Sequence, residues 1–317
     1  MTTPIQFKPV YQTYVWGGDR IGRLYHRPDA PAQAAESWEV SDRIEGMSVA
    51  IDAVHTGQTL AALTRDMGET LIGRRLSLSK FPLLVKLIDA RESLSIQVHP
   101  QIATAQAEPK TELWVALAPS SVYAGFIPGV SETQMKSALG TAAMVDLLEC
   151  IEMEVGDAVY IPAGTVHAIR AGSLLLEVQQ NSNTTYRLYD WGRERALHLK
   201  EGSACIALQK KGAGKQVPKI LEETPQFKRT RLVSSPYFEV ERVELRGRYA
   251  TPIDPSTFQI FFCQSGFSEL SCDGASLSLR AGQTVLIPAA AQTLALSGNA
   301  TLIQIQQGEP ALEPRAR

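Results

Sequence analysis

One seven-residue pattern occurs twice in the chain of 317 residues, as Gly156-Asp-Ala-Val-Tyr-Ile-Pro162 and again as Gly282-Gln-Thr-Val-Leu-Ile-Pro288. In each copy a turn glycine precedes alternating apolar residues suited to a strand, and a rigid proline closes the run. Ten residues past each proline stands a further glycine, Gly172 and Gly298, followed by an apolar stretch, Leu174 to Val178 and Ala300 to Ile305. An internal repeat means that one supersecondary unit is used twice. The chain is therefore expected to build two copies of a single β-barrel motif.

The two copies differ where chemistry is concerned. After Pro162 the first continues Ala163-Gly164-Thr165-Val166-His167, a bend that presents an imidazole at the rim of a strand. The second has Thr293 at the matching position, and residues 226–317 contain no histidine, so that copy is expected to be metal-free and structural. Upstream lies Ser95-Ile96-Gln97-Val98-His99-Pro100, in which Gln97 and His99 are two apart and share one face of a strand. Between these runs comes Lys110-Thr111-Glu112, a carboxylate flanked by a base. Gln97, His99, Glu112 and His167 on strands of one barrel would make a four-ligand metal site, and such a donor set suits zinc with a position left for water or substrate oxygen. An amide is the weakest of the four donors, so Gln97 serves either as a ligand or as a group that fixes ligand geometry. His26, His55 and His198 have no motif around them and read as surface or structural residues.

Elsewhere the chain looks like scaffold. Glu36 to Ser41 alternates as a strand, and Leu83 to Ile88 is an apolar run expected to be a buried strand. Lys86 stands in that run and must either reach a pocket or pair with a carboxylate such as Asp89. Apolar residues at three- and four-residue steps predict helical segments near 56–72 and 131–150, the second opened by a Ser131/Gln134 capping box and interrupted near Gly140. Glycine, proline and lysine over 210–225 have the composition of a linker. The expected organisation is residues 1–209 as a metal-binding domain, 210–225 as linker and 226–317 as the second, metal-free domain.

A formal charge of −2 and a pI near 6.2 offer no electrostatic reason to bind nucleic acid or an anionic membrane. Met1 to Gln12 lacks the basic and apolar regions of a signal peptide, and no run approaches the roughly 18 apolar residues of a membrane span. Cys150, Cys205, Cys263 and Cys272 form no CxxC pair and read as reduced thiols of a cytoplasmic protein.

The pattern Gly-x5-Pro-x-Gly-x2-His over 156–167 resembles the second motif of the cupin superfamily, whose members are small antiparallel jelly-roll barrels with a metal in the mouth. That likeness implies a mainly β chain of two cupin barrels with a few accessory helices. The particulars resemble a narrower group. Leu94 to Pro100, Lys110-Thr111-Glu112, and Glu177-Val-Gln-Gln-Asn-Ser-Asn-Thr-Thr-Tyr-Arg187 are similar to type I mannose-6-phosphate isomerases, in their short bacterial form. Trp16-Gly17-Gly18 and Glu36-Ser37-Trp38-Glu39 fit the same family's N-terminal region.

Carried over onto this chain, the resemblance implies one zinc held by Gln97, His99, Glu112 and His167, an active-site arginine at Arg187 and a substrate-side lysine at Lys110. It also implies interconversion of mannose 6-phosphate and fructose 6-phosphate through a cis-enediol. That reaction needs a cation for phosphate or a developing oxyanion, which suits Arg187. It also needs a base, with Lys110, a water or another carboxylate as candidates. Two departures stand out: Gln101-Ile102 follows His99-Pro100 where the family usually has acidic or asparagine residues, and Ala171 stands where many cupins have asparagine. Two rival functions are an iron dioxygenase of cupin type, whose first motif usually has histidine where Gln97 stands, and a sugar-responsive binding module with a dead site.

Overall fold

A computed structural model describes residues 2–75, 80–209 and 212–309. The chain divides into two compact units, one gathering Tyr11–Trp38 and Leu84–Gln216, the other Met1–Val10, Glu39–Leu83 and Val217–Arg317. The architecture is mainly β, and the sheets run as open orders in both units.

The first of these units carries every residue of the expected metal site. The apolar run Leu83–Asp89 is a strand buried at all seven positions, as a strand covered on both faces must be. Its sheet has seven strands, in the order Gly214–Lys215, Ala158–Ile161, Glu112–Ala116, Leu174–Gln180, Leu83–Asp89, Glu36–Val40 and Val10–Gln12. A second sheet of five strands runs Tyr186–Tyr189, Ile96–Val98, His167–Ile169, Ser120–Phe126 and Leu148–Met153.

Alternation decides which side chains of the five-stranded sheet remain for chemistry. Ile96, Val98, Ala168 and Leu188 pack in one apolar cluster with Met144 and Leu148. Because side chains alternate along a strand, their neighbours Gln97, His167 and Arg187 are turned to the opposite face. The register then lines those three up: Gln97 is paired with His167 on one side and with Arg187 on the other.

The expected helices are shorter than the periodicity suggested. Ser131 and Gln134 do form a capping box at the start of Glu132–Ala138. After Gly140, at φ +75°, comes a 3-10 turn over Ala142–Leu147, and Leu148–Met153 is a strand. In the other unit the segment near 56–72 holds two helices, Leu60–Met67 and Glu69–Ile72. Thr59 caps the first, its hydroxyl accepting from Ala62 N at 3.1 Å, and Gly68 at φ +51° ends it. Within 210–225, residues 210 and 211 lie outside the described residues, while Gly214–Lys215 and Lys219–Glu223 are strands.

In the second unit the sheet order is Lys219–Glu223, Phe227–Ser234, Phe238–Leu245, Thr293–Gln307, Gln259–Cys272 and Ala275–Arg280. Phe261, Leu270, Leu279, Val285, Leu296 and Leu302 form the centre of its core. The repeat is visible in the strands. Thr284–Ile287 stops one residue before Pro288 as Ala158–Ile161 stops before Pro162, and Thr293 opens its strand as His167 does. Among the described residues no helix is long and apolar enough to cross a membrane.

The long Gln259–Cys272 strand carries a register shift between Cys263 and Ser265 where it pairs with Thr293–Gln307. Gly266 follows the shift at φ +80°, and a Cβ there would meet the Asn299 carbonyl and lie 2.9 Å from Ala300 Cα. Gly266→Ala should therefore destabilise this unit by about 2 kcal/mol or more, the scale of a left-handed non-glycine residue with a clash added. A urea unfolding midpoint equal to that of the unchanged chain would show that the close approach relaxes without cost.

Candidate metal centre

His99, Glu112 and His167 meet although they come from three separate strands or strand ends. Glu112 opens the Glu112–Ala116 strand, His167 opens His167–Ile169, and His99 follows Ile96–Val98. Exposure is 0% at Glu112 and His167 and 1% at His99. The Nε2 atoms of His167 and His99 lie 3.1 and 3.3 Å from the two Glu112 oxygens. Gln97 Nε2 lies 3.2 Å from His167 Nε2. All the donor atoms of the triad fall within 4.8 Å of one another, a grouping able to hold a metal ion.

Each imidazole is oriented through its other nitrogen. His167 Nδ1 donates to the Thr165 carbonyl at 2.8 Å, and His99 Nδ1 donates to the Thr184 carbonyl at 2.9 Å. This fixes the tautomer that presents Nε2 as a lone pair toward Glu112. Burial lowers the pKa of both rings, His99 to about 3 with Lys110 adding to the effect. Burial works against the Glu112 charge, but the Lys110 ammonium outweighs it and holds the carboxyl well below its usual range. Near neutral pH the cluster is thus an anion facing two neutral nitrogen lone pairs. His99 Nε2 and Glu112 Oε1 have no hydrogen-bond partner among the described residues, while Glu112 Oε2 meets the Lys110 ammonium at 2.8 Å; buried polar atoms left in this state are costly unless a metal ion joins them. The donor set fits a metal ion on these grounds.

The Pro-x-Gly turn makes the geometry possible. Gly164, at φ +89°, donates its N–H to the His99 carbonyl at 3.0 Å, and Thr165 N donates to the Pro162 carbonyl at 3.1 Å. A Cβ on Gly164 would fall 2.6 Å from the Gln101 amide and 3.0 Å from the Cys205 carbonyl. Gln101, the first residue of the Gln101-Ile102 departure, thus packs against this turn and donates to Cys205 O at 3.0 Å. Its neighbour Ile102 is exposed; at the other departure, Ala171 donates its N–H to Ser93 Oγ at 3.0 Å.

The Gln179–Thr184 run proves to be a frame for the centre. Thr111 N donates to Gln180 Oε1 at 2.9 Å, Ala163 N donates to Thr111 Oγ1 at 3.1 Å, and Ser182 Oγ donates to Glu108 O at 3.0 Å. With the Thr184 carbonyl on His99, one segment ties together three pieces of the site.

Beside the triad lies a cavity of about 290 Å³, lined among others by Gln97, Lys110, Glu177, Arg187 and Trp114. Lys110 Nζ is 2.8 Å from Glu112 Oε2 and 3.8 Å from Glu177 Oε1. Lys86 also lines the cavity, 3.2 Å from Glu177 and 3.5 Å from Glu36. Asp89, the partner considered for Lys86, is held instead by Arg20, whose Nε donates to it at 2.7 Å. Burial pushes the Glu177 carboxyl up against the pull of Lys110 and Lys86. Arg187 donates Nη1 to the Ala196 carbonyl at 2.7 Å, while its buried Nε has no partner.

All six residues singled out in the sequence therefore gather at one place, four around the triad and two on the cavity wall. Glu36, Glu177 and Arg195 also line the cavity; in the sequence the first two stand only inside the family-like motifs, with no role attached, and Arg195 and His198 stand in none. The available signal was charge inside otherwise apolar strands, as at Glu177 among Leu174–Val178. His198 Nδ1 accepts from Arg187 N at 3.2 Å, a contact with no motif to announce it.

Open antiparallel sheets with a His–Glu–His cluster between a Pro-x-Gly turn and a polar cavity define a cupin-type β protein with a candidate metal centre. A model of the catalytic domain of type I phosphomannose isomerase matches residues 5–129, and one of the mannose-6-phosphate isomerase cupin domain matches 228–307. The chain is 30% identical to the probable mannose-6-phosphate isomerase GmuF of Bacillus subtilis over 91% of its own length and 94% of that protein's. It is 34% identical to the mannose-6-phosphate isomerase ManA of the same organism, over 78% of this chain and 81% of that one. A crystal structure of mannose 6-phosphate isomerase from Bacillus subtilis superposes with a TM-score of 0.87 at 27% identity, covering 96% of this chain and 99% of the other. The chain belongs to the type I mannose-6-phosphate isomerase family.

Gly164→Ala should cost about 1–3 kcal/mol in stability from its positive φ alone, and the displaced His99 backbone should weaken divalent-metal binding. Thermal unfolding with and without added zinc measures both, and wild-type values in both would contradict the role given to this turn.

Proposed function

We propose that the chain is a zinc-dependent aldose–ketose isomerase that interconverts mannose 6-phosphate and fructose 6-phosphate through a cis-enediol, one zinc per chain. The fold we propose for it is a pair of cupin jelly rolls, supported by the matching strand–proline–strand order around Pro162 and Pro288. The second copy, with Thr293 bonded to Asp273 at the position of His167, is the metal-free one.

One observation carries the reading: buried His99 Nε2 and Glu112 Oε1, which have no hydrogen-bond partner among the described residues, stand beside a small cavity lined by cationic side chains. Nitrogen and carboxylate donors suit zinc, and the names of the relatives point to the sugar phosphate. His99 and His167 would bind through Nε2 and Glu112 through its carboxylate. Gln97 would complete the set with its amide turned so that Oε1, which accepts from Ser95 Oγ at 3.2 Å, faces inward instead of Nε2. Zinc, when bound, supplies Lewis acidity that polarises the sugar carbonyl and eases negative charge on oxygen.

The chain's own groups do the rest. Lys110 keeps Glu112 anionic and stands on the substrate side. The proton that moves between C1 and C2 needs a group on the cavity wall, for which Lys110 and Glu177 are the candidates. Arg187, with N–H donors left over, provides a fixed planar cation for phosphate or a developing oxyanion. The cavity lies at the small end of ligand pockets, about 300–1,000 Å³, the size for a monosaccharide rather than a polymer.

His167→Ala should reduce zinc in extensively dialysed protein from one per chain to near zero. Arg187→Ala should retain the metal but lose about 10²-fold or more in turnover of mannose 6-phosphate, the usual result of removing a charge-stabilising donor. Elemental analysis and a coupled spectrophotometric assay read the two; full zinc in the first or full activity in the second would refute the corresponding role.

A further inference from the structure

The cavity holds four cations, and they are not equally free. Lys86 and Lys110 are matched by Glu36, Glu177 and Glu112. Among the described residues Arg187 has no carboxylate of its own, and Arg195 shares Asp190 with Arg193. Arg187 and Arg195 both line the cavity, and the nearby positive charge of Arg195 adds to burial in lowering the Arg187 pKa.

One buried carboxylate organises this end. Asp190 accepts from Arg195 Nε and Nη2, both at 2.7 Å, and from Arg193 Nη2 at 2.8 Å. Arg193 is spent on structure, since Nη2 also donates to the Ser93 carbonyl at 2.7 Å and Nη1 faces Glu92 at 3.7 Å. Arg195 uses only its Nε and Nη2 edge on Asp190 and lines the cavity, so the Nη1 edge is not spent on this carboxylate. Arg187 is fixed in the same frame, through the carbonyl of Ala196 and through His198, whose N–H donates to Arg187 O at 2.8 Å. With Arg193 balanced by Glu92 and Arg195 by Asp190, the charge of Arg187 is left over, so cations exceed carboxylates at this end of the cavity. A phosphate monoester carries about −1.5 to −2 at pH 7, and planar guanidinium forks match its oxygens.

We propose that Arg195 is a specificity-determining residue that binds the phosphate of the substrate together with Arg187, and that Asp190 is the positioning residue that aims it. This rests on the isomerase reading and deepens it: the sugar's reacting end lies toward Gln97 and the triad, its phosphate toward Arg187 and Arg195.

The test is steady-state kinetics of zinc-loaded Arg195→Ala with mannose 6-phosphate, with inorganic phosphate as competitive inhibitor and as a ligand in calorimetry. Loss of a charged hydrogen-bonding group should raise KM and weaken phosphate binding by roughly 10- to 100-fold, with kcat changed only a few-fold. Arg195→Lys should recover part of the loss, and Asp190→Asn should move KM in the same direction by less. Unchanged KM and phosphate affinity in Arg195→Ala would overturn the proposal and leave the isomerase reading standing, as would a loss confined to kcat. Wild-type protein that binds inorganic phosphate through Arg195 yet does not turn over mannose 6-phosphate would instead remove the isomerase reading and keep the anion subsite.

Discussion

A carboxylate with no exposed surface, facing two imidazole lone pairs, is the interaction on which the catalytic unit depends. Glu112 is held ionised by the ammonium of Lys110, and each imidazole is locked by a backbone carbonyl into the tautomer that points Nε2 at the carboxylate. Without a metal ion, the two imidazole lone pairs and the Glu112 Oε1 lone pairs converge in a medium that screens them poorly. Much of the surrounding structure can be understood as keeping that convergence in place: the left-handed turn at Gly164, the tie from Thr111 to Gln180, and the packing that turns Ile96 and Val98 away from Gln97.

A second layer of charge extends from it. Glu36, Lys86, Glu177 and Lys110 link across neighbouring strands to Glu112, and Trp38 and Trp114 donate their indole N–H groups to Glu36 and Glu177 at 2.6 and 3.1 Å. Alternating sign lets five ionisable groups sit nearly out of water, where a lone charge would be prohibitive. The arginine end differs in kind, with cations in excess of carboxylates. A ligand that is neutral and carbonyl-bearing at one end and dianionic at the other matches this polarity.

The residues of the candidate centre were legible because their geometry is local. Two-residue spacing at Gln97 and His99, and the Pro162-x-Gly164 bend before His167, need only the rules of strands and turns. The charge ladder was not legible, because its members lie on strands far apart in sequence, as Glu36 and Glu177 do around Lys86. Asp89 is three residues from Lys86 and looked the natural partner, but a strand places them on opposite faces and Arg20 takes it. Helical periodicity misled at 148–150 for a related reason: Leu148 and Met153 also suit a strand, and pairing with Ser120–Phe126 decides the matter. The repeat disclosed the strand order around Pro288, whereas the gathering of residues 39–83 with 217–317 depends on contacts that no spacing records.

The most direct measurement is anomalous diffraction at the zinc edge from crystals of active, extensively dialysed protein. One peak per chain is expected, at about 2.0–2.2 Å from His99 Nε2, His167 Nε2 and a Glu112 oxygen. Active crystals with no anomalous peak in reach of these three atoms, or with a peak at the iron edge in its place, would contradict a zinc centre at the heart of this fold.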